Sequence, residues 1–120
     1  MIVRKLADCP EFLAGDHTYL RELLHPARIP VKVGYSIAHG TLRPGAHSKR
    51  HRLSSSEVYY FLAGRGLFCI DDQTAPIESC MVVYVPPGSE QWVENSGDET
   101  MEFLCLVDPA WTPEDEHVLE

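Results

Sequence analysis

The chain of 120 residues has no Cys-x-x-Cys pair and no apolar run longer than about Cys80–Val85. The first absence removes zinc-ribbon and thioredoxin-like redox motifs. The second removes a membrane-spanning helix, which needs about 20 consecutive apolar residues. The N-terminus, MIVRKLADCPEF, carries basic residues with no continuous apolar segment behind them, which is not the pattern of a secretory signal. A cytoplasmic location is therefore expected, with Cys9, Cys69, Cys80 and Cys105 as free thiols and Cys69 and Cys105 buried as small hydrophobes. Helical periodicity is almost missing: only Tyr19–Leu24 shows a short apolar period near 3.6. Charge of one sign is missing in places too. Residues 23–56 hold Arg28, Lys32, Arg43, Lys49, Arg50 and Arg52 without a single acid, whereas residues 57–120 hold fourteen acids and only Arg65. The net charge of −8 and the pI near 5.1 argue against nucleic acid as the main partner. The uneven distribution predicts charge pairing between strands of the two halves or, as the alternative, a local positive rim in an acidic protein.

What is present is a globular balance, with 44% hydrophobic and 23% charged residues, enough for one domain over residues 1–120 and no second core. Short β-branched and aromatic runs alternate with turn residues. Val31–Leu42 ends at Arg43-Pro44-Gly45, Glu57–Leu62 at Ala63-Gly64-Arg65-Gly66, and Leu67–Asp71 at Asp72. Cys80–Val85 stops at Pro86-Pro87-Gly88, where proline removes the ladder donor; Gln91–Glu94 precedes Asn95-Ser96-Gly97-Asp98, and Met101–Val107 ends at Asp108-Pro109. The tail from Trp111 to Glu120 is acidic and is expected to wrap over the surface, anchored by Trp111. Several short strands with regular turns predict an all-β sandwich or barrel with a concave, largely apolar interior.

The segment Gly45–Gly66 is the most informative. His51 lies six positions after Gly45, Leu53 two further on, Glu57 four after Leu53, and Gly64 seven after Glu57. A second segment sets Pro86, Gly88, Gln91 and Asn95 in a fixed order after Cys80. This pattern resembles the two motifs of the small single-domain cupins. Gly45, His51, Glu57, Gly64, Pro86, Gly88 and Asn95 match in register, while Leu53 replaces the second His of the first motif, Cys80 the Gly and Gln91 the His of the second. The resemblance covers roughly residues 31–107. It implies a single cupin barrel, a double-stranded β-helix or jelly roll with short N- and C-terminal extensions.

In metal-binding members of the resembled superfamily, the two His and the Glu of the first motif and the His of the second hold a divalent ion inside the barrel. Here the matching positions offer His51, Glu57 and the amide of Gln91, with no donor at Leu53, a set that suits Fe(II), Mn(II) or Ni(II) with bound waters better than Zn(II). His47 is a candidate for the missing imidazole if its loop folds inward; the alternative is a solvated loop residue. A metal-free pair, with Glu57 hydrogen-bonded to His51, is the alternative for the motif residues. Tyr59 and Phe61 share strand parity with Glu57, and Leu53 with His51, so Leu53, Tyr59 and Phe61 are expected to line the ligand cavity. Arg50 and Arg52 alternate away from His51. His39 is expected to point outward or into a subunit contact. The resemblance implies pairing through strands near the N-terminus, a homodimer in which Tyr19, Leu23, Leu24 and His39 contribute. The functions it implies are a metal-dependent oxygenase or isomerase acting on a small organic ligand, or a binding or sensor barrel without turnover. Neither nucleic acid nor membrane is expected as a partner.

Overall fold

In a computed structural model describing residues 1–120, eleven strands form two antiparallel sheets packed face to face. They are β1 (Glu11–Leu13), β2 (Tyr19–Leu24), β3 (Ser36–Leu42), β4 (His51–Leu53), β5 (Ser56–Ala63), β6 (Arg65–Ile70), β7 (Gln73–Glu78), β8 (Val82–Val85), β9 (Glu90–Asn95), β10 (Met101–Asp108) and β11 (Glu116–Val118). One sheet runs β1-β2-β3-β10-β5-β8 and the other β11-β4-β9-β6-β7. The all-β jelly-roll architecture is the one the sequence predicts. No helix is long and apolar enough to cross a membrane.

Period-two alternation sets the inner faces. On β5, Glu57, Tyr59 and Phe61 are buried, and on β10 so are Met101, Phe103, Cys105 and Val107. The core is aromatic at its centre: the Tyr59 and Phe68 rings lie 4.9 Å apart edge to face, and Phe61 and Phe103 lie 5.7 Å apart. Each such ring contributes roughly 1.5–3 kcal/mol by leaving water. Gly40 opposes Phe103 across β3 and β10, and a Cβ at Gly40 would fall on the Phe103 ring, so the glycine makes the room that the ring fills. Cys9, Cys69 and Cys105 are buried and Cys80 is exposed, all as free thiols.

Several elements differ from the expectation. Tyr19–Leu24 is a strand, paired on both sides with β1 and β3; six residues are too few for a self-supporting helix, and the two neighbours offer ladder bonds. The strand expected over Val31–Leu42 begins only at Ser36, because its partner β10 pairs no further than Val107 with Ser36, while residues 31–35 run as irregular chain. The unexpected β7 contains Pro76, which is tolerated because β7 is a sheet edge. The acidic tail folds back as β11 along β4, with Ser54 N–H donating to Asp115 O and Leu119 N–H to Arg50 O. Charge pairing links the halves as expected: Arg50 contacts Glu90 at 3.5 Å and Glu120 at 3.2 Å, and Arg52 contacts Glu90 at 3.7 Å. His39 lies on the face away from the core, yet it is buried and 3.2 Å from Glu102 of β10.

Candidate functional site

Between the sheets lies a cavity of about 270 Å³, large enough for a small organic molecule. Its walls are mostly apolar, from Leu13, Leu20, Ile37, Leu53, Phe103 and Val107. Asp16, Glu22, His51, Glu57, Tyr59 and Glu116 also line it; no lysine or arginine does.

His51 is delivered by β4 and is only 3% exposed. Its Nδ1 is 2.7 Å from Lys49 O, and since a carbonyl only accepts, Nδ1 carries the proton. That orients Nε2 toward the cavity, 3.6 Å from Asp16 Oδ2. Glu57 comes from β5, where it pairs with Val85 of β8. Gln91 Nε2 donates to Glu57 Oε1 at 2.8 Å, and Tyr59 OH donates to Gln91 Oε1 at 2.8 Å. The amide is thus a clamp between a carboxyl and a phenol. Burial pushes the Glu57 carboxyl up to about 7; His51 and the Gln91 hydrogen bond pull it partly back, and Asp16 raises it further. Burial, and next to it the charge of Glu57, hold the Tyr59 hydroxyl and the Cys105 thiol well above their ordinary values, so both stay protonated.

Two further acids, Asp16 and Glu116, come from the segments flanking the motif-bearing stretch. Asp16 sits in the turn between β1 and β2. Its Oδ1 accepts from Thr18 N at 3.1 Å and Thr18 Oγ1 at 2.7 Å, and its backbone carbonyl accepts from Lys49 N at 2.7 Å, which docks the hairpin beside β4. Glu116 opens β11, opposite Leu53, and its Oε2 accepts from Trp111 Nε1 at 3.2 Å. Burial, and after it Asp16, raise the Glu116 carboxyl above its ordinary range. Asp16, His51 and Glu116 bring one donor atom each to within 4.8 Å of one another. The sequence reading missed both acids, since neither lies in the motif segments. The only local signal was Asp16-His17-Thr18, an Asp two positions before a Thr, as in a side-chain-capped turn.

Of the residues singled out from sequence, the fold gathers His51, Glu57, Gln91, Leu53 and Tyr59 into one place. His47 and Phe61 are elsewhere. His47 does not line the cavity: its ring stands edge-on to Trp92 at 6.0 Å, its Nδ1 bonds Ser48 O at 3.0 Å, and its backbone bridges to Glu94. Phe61 points inward as parity requires but is completely buried in the aromatic core, past the end of the cavity. The four positions that resemble a metal set do not fit an ion. Leu53 presents only carbon, and both ends of the Gln91 amide are taken by Glu57 and Tyr59. An ion at Gln91 would have to share Oε1 with the Tyr59 hydroxyl, on the oxygen's second lone pair.

The fold and the cavity define a jelly-roll barrel whose hollow is lined by acids and an imidazole. Residues 38–107 match the cupin domain model, and the chain belongs to that family. It is 33% identical over 110 residues to the uncharacterized protein MJ1618 of Methanocaldococcus jannaschii, covering 91% of this chain and 87% of that one. It is 31% identical over 67 residues to an oxalate-binding protein of Thermotoga maritima, covering 55% of each. Among solved structures, a Cupin 2 conserved barrel domain protein from Salinispora arenicola superposes with a TM-score of 0.78 at 24% identity, over 95% of this chain and 91% of that one, a likeness of fold.

Proposed function

We propose that this cupin encloses a small organic molecule without negative charge in its barrel cavity and exchanges a proton with it through Glu57, an isomerase-type chemistry. The observation that carries the reading is the clamped carboxyl itself: Glu57 faces the cavity, fixed by Gln91, beneath apolar walls. A fixed carboxyl out of contact with bulk water is suited to take a proton from carbon next to a carbonyl and return it to the neighbouring atom. Ligand charge follows from the lining. Oxalate, which the Thermotoga maritima relative is named for binding, is a dianion. In this cavity it would face Asp16, Glu57 and Glu116 with no lysine or arginine to offset them. Each like-charge contact near 4 Å costs about 4 kcal/mol at the effective dielectric of a protein surface, and more when buried. A divalent ion, whether Fe(II), Mn(II), Ni(II) or Zn(II), enters this reading only through a donor set that shares no more than His51 with the motif positions.

The test is deuterium wash-in. Neutral hydroxy-aldehydes and hydroxy-ketones are incubated in D2O with the chelator-treated protein and followed by proton NMR. Exchange at carbon that is lost in Glu57→Gln is expected. Exchange that persists in Glu57→Gln, or tight binding of oxalate by the metal-free protein, contradicts the reading. The second reading, a binding or sensor barrel without turnover, is favoured by Leu53, which lines the hollow with carbon where a polar group is expected; ligand-induced stabilisation with no exchange would select it. A homodimer also belongs to the proposal. The resemblance implies pairing through Tyr19, Leu23, Leu24 and His39; the exposed Tyr60, Leu62, Val82 and Tyr84, at the other end of the six-stranded sheet, offer a second apolar face, and sedimentation equilibrium checks the dimer.

A further inference from the structure

The motif positions fail as an ion site, yet the same cavity holds a second set of donors with the opposite property. We propose that Asp16, His51 and Glu116 form a divalent-cation site, closed over the barrel by the two terminal segments of the chain and separate from the positions of Leu53, Glu57 and Gln91. The site holds whether or not Glu57 turns a ligand over.

Four observations carry it. First, the donors converge, with one atom from each residue within 4.8 Å of the others. Donors about 2.1 Å from one ion at tetrahedral or octahedral angles lie about 3.0–3.4 Å apart, so the widest pair has to close by an ångström or more through side-chain rotation on binding. Second, each side chain is already oriented by its non-ligating atom. His51 gives its Nδ1 proton to Lys49 O, the partner arrangement that metal-bound imidazoles use, and makes no hydrogen bond through Nε2 although it is 3% exposed. Asp16 spends Oδ1 on Thr18, and Glu116 spends Oε2 on Trp111. One oxygen of each is left without a hydrogen bond. Third, two carboxylates with only an imidazole between them in a hollow without lysine or arginine repel each other, and a dication removes that repulsion. Fourth, the holders are held: Lys49 N–H fixes the carbonyl of Asp16, and β11 is laddered to β4.

The donor chemistry narrows the ion. Two carboxylate oxygens and one imidazole, with no sulfur and with cavity space for water, suit Mn(II) or Fe(II), with Zn(II) as the competitor; a hard ion such as Mg(II) gains less from the imidazole.

The full chain, dialysed against chelator, is titrated calorimetrically with Mn(II) and with Zn(II). One equivalent is expected to bind, with a rise in melting temperature. Asp16→Asn and Glu116→Gln each weaken binding by about tenfold or more, and Glu57→Gln by less than about threefold. Both ligand variants keep an acceptor for Thr18 or Trp111, and circular dichroism confirms that they fold. Should either one unfold, Mn(II) line broadening in the wild-type amide spectrum decides instead, and it is expected to centre on Asp16, His51 and Glu116. Failure of both ions to bind at millimolar concentration, an affinity unchanged by Asp16→Asn and Glu116→Gln, or broadening centred on Glu57 and Gln91 overturns the proposal.

Discussion

The stretch from Gly45 to Asn95 and the two ends of the chain divide the work differently. The central stretch keeps the backbone of its motifs. Gly45, Gly64 and Gly88 take φ of 77°, 89° and 82°, and Cys80, standing where the motif has glycine, still takes φ of 70°. Asn95 keeps a structural duty, with Nδ2 donating to Leu42 O and Glu99 O and Oδ1 accepting from Gly97 N. Two of the metal-set positions in the same stretch have changed to Leu53 and Gln91. The ends lie outside the segment that matches the family, yet they deliver Asp16 and Glu116 to the hollow. The bends that make a barrel and the side chains that make a site are separable demands on a sequence, and here different parts of the chain meet them.

The largest effect is expected from the central stretch as scaffold: Phe61→Ala should destabilise the fold by about 3–5 kcal/mol in denaturant titration, because the ring is completely buried among Tyr59, Phe68 and Phe103. A loss below about 1 kcal/mol would mean that the core does not rest on this stretch.

Next is Glu57, where site and scaffold compete. Its carboxyl is raised from 4.5 to about 7, so the folded state holds the proton longer than the unfolded state does. The penalty for burying it is absent below about pH 4.5, grows as the pH rises, and is complete above about pH 7, where it approaches 3 kcal/mol. In metal-free protein, Glu57→Gln should therefore raise stability at about pH 8 by up to that amount, change it little near pH 4.5, and flatten the melting-temperature profile between. A parallel profile for wild type and variant would remove the buried carboxyl from the account.

The smallest effect is at Cys80. A left-handed conformation costs a non-glycine residue roughly 1–2 kcal/mol, so Cys80→Gly should gain about 1 kcal/mol less the entropy of a freer unfolded chain. A loss in the same measurement would show that the thiol side chain contributes packing that offsets its strain.

Much of this was legible in the sequence for local reasons. The spacing of Gly45, His51, Glu57, Gly64, Pro86, Gly88 and Asn95 resembles the cupin motifs, a resemblance that implies the barrel, and alternation puts Glu57, Tyr59 and Leu53 on the cavity side. Parity alone could not tell a cavity wall from the core beneath it, which is why Phe61 was placed one layer too shallow. His47 was drawn toward the site by sequence proximity, whereas its loop turns the ring onto Trp92 on the outside of the sheet. β7 hid behind Pro76. β1 and β11 are three residues each, too short for a periodic signal. Asp16 and Glu116 could not be read at all, because their approach to His51 depends on how a hairpin and a tail dock, through contacts distant along the chain.

The central claim is that the ends of the chain complete the site. Amide hydrogen exchange with and without Mn(II), read by mass spectrometry, tests it most directly. The account requires added ion to slow exchange in Tyr19–Leu24 and Glu116–Val118 by about tenfold or more, with Val82–Val85 unchanged. Protection confined to Glu90–Asn95, or no protection in either terminal strand, would contradict it.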